Sequence, residues 1–143
     1  MKRENLTAFT ALALAFGATA SAADFDGTKP VLCSVAEIYE CSLESGCADL
    51  STDQANVPAI VRIDFAKGEI SGQLDDGSMR QSTALSKQTL ENKLIMQGIE
   101  QGYEGERDGS GWSVAITQDS REMVLTASTD ETAFVMLGSC IED

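Results

Sequence analysis

Residues 112–127 read WSVAITQDSREMVLTA, and this stretch decides the fold class. Trp112, Val114 and Ile116 take alternate positions, with Ser113 and Thr117 as polar neighbours. A period of two is the mark of a strand buried on one face. Residues 118–121 (QDSR) interrupt it with Asp and Ser, which suit turn backbones. Met123, Leu125 and Ala127 then line one side of a second run. Two alternating runs joined by a short polar turn are antiparallel neighbours.

The same pattern extends in both directions. Val61, Ile63 and Phe65 alternate with Arg62 and Asp64; Phe134, Met136, Gly138 and Cys140 share one side of the last run. Further runs begin at Val31 and at Leu94. Gly, Asn, Asp and Ser punctuate the chain at 66–69, 75–77, 91–93 and 129–131. About eight short strands at such spacing predict an all-β protein: a single small antiparallel meander, a closed barrel (lipocalin-like) or a sandwich. At most one short helix is expected. Ser51 to Gln54 could start one turn before Pro58, and residues 36–41 have mixed propensity. The expected core draws Val35 and Tyr39 from the first strand and Val61, Ile63 and Phe65 from the second. Met96, Trp112, Val114, Ile116, Met123, Leu125, Phe134 and Met136 complete it.

The chain has 143 residues, room for one domain. Its start reads as a secretory signal peptide. Lys2 and Arg3 are the positive region, residues 6–17 (LTAFTALALAFG) the apolar region, and Ala20 and Ala22 the small residues before the cut. Cleavage is placed between Ala22 and Ala23, with Ala23/Asp24 as the close alternative. Twelve apolar residues would span roughly 18 Å, too short for a ~30 Å bilayer core. Residues 1–22 are thus the signal and 23–143 a single β-rich domain. Without a twin arginine or a cysteine just after the apolar region, the Sec route to a periplasm or the exterior is expected.

Four cysteines in an exported chain read as two disulfides. No C-x-x-C occurs, so neither a thioredoxin-type site nor a zinc knuckle is indicated. Were residues 31–41 one strand, Cys33 and Cys41 would lie about 26 Å apart, beyond the roughly 7 Å reach of a disulfide. Residues 42–46 (SLESG) are turn-like and can return the chain. Cys41 therefore pairs with Cys47, and Cys33 with Cys140. In the chain-entropy model these loops are worth roughly 2.4 and roughly 5 kcal/mol.

The formal net charge is −13, and with no histidine the chain has no Ser-His-Asp triad, Cys-His pair or His-ligated zinc. Losing residues 1–22 removes Lys2, Arg3 and Glu4 and leaves −14 on 121 residues. Such a surface repels nucleic acid and anionic head groups and favours a cationic protein or small molecule as partner. Self-repulsion makes a monomer the expectation. A membrane barrel would need lipid-facing alternation with aromatic girdles; the chain has only eight aromatics, two of them in the signal.

Residues 25–33 (FDGTKPVLC), Arg62-Ile63-Asp64-Phe65 and Gly111-Trp112-Ser113 resemble a group of small exported bacterial proteins of unknown function. The resemblance covers most of the mature chain and implies export and a single domain. It brings no activity and no catalytic residue.

Candidate chemistry is sparse. Glu104, Glu106 and Asp108, followed by Gly109, mimic the first positions of a calcium loop, but the acid at position 12 would fall on Ala115. A solvated acidic loop that touches a cationic partner is the better reading, with no metal and no cofactor. Asp75-Asp76-Gly77 fits turn chemistry rather than a glycosidase pair. Ser86-Lys87 is the one candidate dyad, and Trp112 the one tryptophan, suited to the core or to a binding mouth. No catalytic residue is assigned. Three readings follow: a non-catalytic exported binding protein that engages or inhibits a basic protein, a lipocalin-like carrier of an apolar small molecule, and a small envelope enzyme. The interior discriminates between the first two. A barrel filled by Phe65, Trp112 and Phe134 favours surface binding; an open apolar pocket favours the carrier.

Overall fold

The computed structural model describes residues 25–100 and 109–143. The strands are β1 (Val31–Ser42), β2 (Gly46–Leu50), β3 (Ile60–Asp64), β4 (Glu69–Gln73), β5 (Met79–Leu90), β6 (Lys93–Glu100), β7 (Ser110–Thr117), β8 (Glu122–Ser128) and β9 (Thr132–Glu142). The helical turn α1 (Thr52–Ala55) lies between β2 and β3. Ser51 caps it: its hydroxyl accepts from the Gln54 N–H, and the Gln54 side chain accepts from the Ser51 N–H.

All pairings are antiparallel, and β9 returns to β1. Strands β1 and β3 to β9 thus close an eight-stranded barrel, which settles barrel against sandwich. The ninth strand, β2, was not expected. It pairs with the upper half of β1, above the β1–β3 contact, and contributes no fully buried residue. Two bridges tie these elements: Cys33–Cys140 joins β1 to β9, and Cys41–Cys47 braces the β1–β2 hairpin. Each links directly opposed residues, in the pairing the spacing predicts.

Side chains inside the barrel form rows across the strands. Leu94, Ile116 and Met123 make one row; Met96, Val114, Leu125, Met136 and Ile38 make the next. All are buried. These buried apolar side chains point inward, whereas Ile60, Leu85, Ile99, Val124 and Ile141 are exposed. The end carrying the β3–β4, β5–β6 and β7–β8 turns is closed by the segment before β1. Phe25 is buried there, its carbonyl accepts from Gln118 Nε2 at 2.8 Å, and the Arg121 guanidinium lies 5.7 Å from its ring.

The expected core needs four corrections. Tyr39 is 36% exposed and Ile38 is buried in its place. The register of β1 against β9 shifts between Val35 and Glu37, and one extra residue turns every later side chain to the other face. Tyr39 and Glu37 then share the outer face, where the tyrosine hydroxyl donates to the carboxylate at 3.1 Å. Gly138 permits this bulge, since a Cβ there would overlap the Ser34 carbonyl. Val35 is only half-buried beside the bulge; Phe65, past the end of β3, and Phe134 are half-buried as well.

Among the described residues Asp64 is the one buried charged residue. Its Oδ1 accepts from the Lys67 N–H at 3.0 Å, and Oδ2 lies 3.5 Å from Lys67 Nζ. The backbone hydrogen bond, aided by Lys67 and Arg62, holds its carboxyl below the ordinary value against the opposing effect of burial. A depressed folded pKa stabilises the fold at neutral pH, and that contribution is lost as pH falls through the folded value. Asp64→Asn should therefore be less stable than wild type at neutral pH, with the gap narrowing below about pH 4. Urea midpoints at neutral and acid pH measure it; a gap independent of pH would deny the carboxylate this role.

Candidate functional site

The rows of the barrel interior stop being filled towards the end opposite Phe25. The row above Met96 and Val114 consists of Gly98, Trp112, Ala127 and Phe134, directly opposed in turn across β6 to β9. An eight-stranded barrel is just wide enough for side chains to fill. A row with Gly and Ala between two aromatics leaves space. Across the barrel, Gly72 stands opposite Val61 and Arg80, and Ser82 opposite Ile70.

The result is an open cavity of about 480 Å³, within the usual size range of small-molecule sites. Val61, Ile70, Trp112, Leu125, Phe134 and Met136 supply its apolar surface. Ala55 of α1, Val57 and Pro58 form a further wall. Met79, Arg80, Glu100, Ser110 and Thr129 stand near the opening.

Trp112 shapes this space. Its ring lies over Gly98, where any Cβ would overlap it. Its Nε1 donates to Ser82 Oγ at 2.8 Å, which fixes the indole across β6 towards β5. The indole N–H is thereby satisfied, and the wall mixes apolar side chains with the polar Ser71, Gln81, Ser82 and Thr129. Arg80 Nη1 lies 3.9 Å from Glu100 Oε1, with both side chains partly exposed, a pair worth at most about 1 kcal/mol.

Glu104, Glu106 and Asp108 lie outside the described residues, as do Ala22 and Ala23; their neighbours Glu100 and Ser110 flank the opening. Asp76 Oδ1 accepts from the Ser78 N–H and hydroxyl, as its turn requires, and this holds its carboxyl below the ordinary value. Asp53 crowds Asp75 and raises its carboxyl. Ser86 and Lys87 do not form a dyad: the Ser86 hydroxyl meets Gln97 Oε1 at 3.4 Å, whereas Lys87 Nζ donates to the Ala66 carbonyl at 2.6 Å. Among the described residues no group of three acids or cysteines is placed to hold a metal ion.

The alternation in the sequence places Trp112 and Phe134 in the core, with a binding mouth as the alternative for Trp112. It missed Ile70, Arg80, Ser82 and Glu100. The signal available was the pair of small residues, Gly98 and Ala127, at inward positions of otherwise bulky runs. Compared with protein-family models, curated proteins and solved structures, the chain matches none.

Proposed function

We propose that this protein is a non-catalytic, monomeric carrier of an apolar small molecule, held in the open end of the barrel. The observation that supports it is the 480 Å³ cavity between Trp112 and Phe134. The apolar part of the wall, from Val61, Ile70, Trp112, Leu125, Phe134 and Met136, suits a ligand body held by burial, with polar groups such as Ser71, Gln81 and Thr129 beside it. The reading as an inhibitor of a basic protein rests on net charge and compartment, with Glu104, Glu106 and Asp108 as the expected contact, and these three lie outside the described residues. Among the described residues the one candidate dyad for the reading as an enzyme, Ser86-Lys87, is not formed. Two disulfides fit an oxidising compartment, and no helix among the described residues is long and apolar enough to cross a membrane. With residues 1–22 read as a Sec signal, the carrier would work in a periplasm or outside the cell.

Trp112 is the only tryptophan, so its emission reports on the cavity. N-phenyl-1-naphthylamine, a neutral apolar fluorophore, should bind saturably at one per chain and quench Trp112 by energy transfer. Ala127→Phe should fill the cavity and weaken binding at least about tenfold, a loss of about 1.4 kcal/mol, with the circular dichroism unchanged. Absence of saturable binding to the wild type, or full binding by a folded Ala127→Phe variant, would overturn the carrier reading.

A further inference from the structure

The charge of the described chain is divided between the two ends of the barrel. Lys29, Arg62, Lys67, Lys87, Lys93 and Arg121 all stand in its closed half. Several are paired there: Lys29 with Glu142 at 3.5 Å, Arg62 with Asp143 at 2.6 Å, and Lys67 with Asp64. The half around the opening is different. Glu37, Glu40, Glu44 and Asp49 stand on the β1–β2 hairpin and Asp53 on α1. Asp75 and Asp76 occupy the β4–β5 turn, Glu100 the end of β6, and Asp130 and Glu131 the β8–β9 turn. Against these ten carboxylates stands one described cation, Arg80. No lysine or arginine occurs between Lys29 and Arg62, the whole stretch that builds β1, β2 and α1.

Charges of one sign around a low-dielectric cleft focus their field into it. At physiological salt the screening length is about 8 Å, so the carboxylates nearest the opening, Glu100 of its lining first, act most on a group there. The closed half, with six cations against eight side-chain carboxylates, carries a smaller excess. Crowding is visible in the group itself, since Asp53 raises the carboxyl of Asp75. Arg80 argues for the opposite sign of ligand. It is a single half-exposed group already facing Glu100 at 3.9 Å, so the summed field outweighs it.

We infer that the ligand is a cationic amphiphile, with its apolar body between Trp112 and Phe134 and an ammonium or guanidinium head at the opening, facing Glu100. This rests on the carrier reading and adds the sign of the head group to it.

Three probes with the same tail separate the two ideas: decyltrimethylammonium, 1-decanol and decanoate, each below its aggregation threshold, titrated by Trp112 emission. The expected order is cation, then alcohol, then carboxylate. The cation should bind at least about tenfold tighter than the anion at 20 mM salt, with the ratio falling towards one at 500 mM. Glu100→Gln should weaken the cation alone, and Arg80→Gln should strengthen it. Equal binding of all three would overturn the charge inference and leave the carrier standing. Tighter binding of decanoate, lost in Arg80→Gln, would reverse the assigned sign. Failure of every probe would remove the carrier reading and this inference with it.

Discussion

Replacing Cys33 and Cys140 together by alanine should lower the free energy of unfolding by about 5 kcal/mol. The two residues are 107 apart in sequence, and in the chain-entropy model a loop of that size costs the unfolded chain about that much freedom. The bridge also joins the first barrel strand to the last, so it secures the contact that closes the sheet. A domain of this size has only about 5–15 kcal/mol of stability, and the variant should be marginal or unfolded at 37 °C. The Cys41–Cys47 bridge should behave differently. Its separation is six residues, with a ceiling of roughly 2.4 kcal/mol, and β2 presents exposed residues along nearly its whole length. Releasing it should loosen the hairpin and leave the barrel folded. Urea unfolding of both double variants, followed by circular dichroism, measures the contrast. Equal losses would mean that β2 belongs to the cooperative unit of the barrel.

The all-β class, the turns between most strands and both bridges follow from local rules: period-two alternation, turn residues, and the reach of a disulfide. Tyr39 escaped those rules because a bulge changes the phase of a strand without changing its composition. Nothing in residues 34–38 (SVAEI) marks which residue is the extra one. β2 escaped because its residues bury almost nothing, so no apolar period betrays a strand. The cavity is a harder matter. Inward positions can be recognised from alternation, but whether they fill the interior depends on which residues from different strands share a row. Gly98 and Ala127 lie in one row with Trp112 and Phe134 only once register is known. The division of charge has the same origin. A net charge of −13 is plain in the composition, but its gathering at one end needs the up-and-down order of the strands.

The pairing of Trp112 with Gly98 yields the second large effect. Trp112→Ala should cost about 3–5 kcal/mol, the usual range for removing a buried tryptophan, because Trp112 is 7% exposed and its ring covers both Gly98 and the approach to Ser82. Gly98→Ala should also destabilise, by about 1–3 kcal/mol, since the ring occupies the place of the new methyl group. The informative quantity is their combination. Once the indole is gone, a methyl group at position 98 is freed of its two closest contacts and still meets the Thr83 carbonyl, 2.9 Å away. In the Trp112→Ala background, Gly98→Ala should therefore cost clearly less than in the wild type, and the double-mutant cycle should give a coupling of about 1–3 kcal/mol, within the range found for residues in contact. Urea unfolding of the four proteins at one pH measures it. Additive losses would show that the two residues do not share the space, and that the ring does not form the wall from which the ligand is proposed to hang.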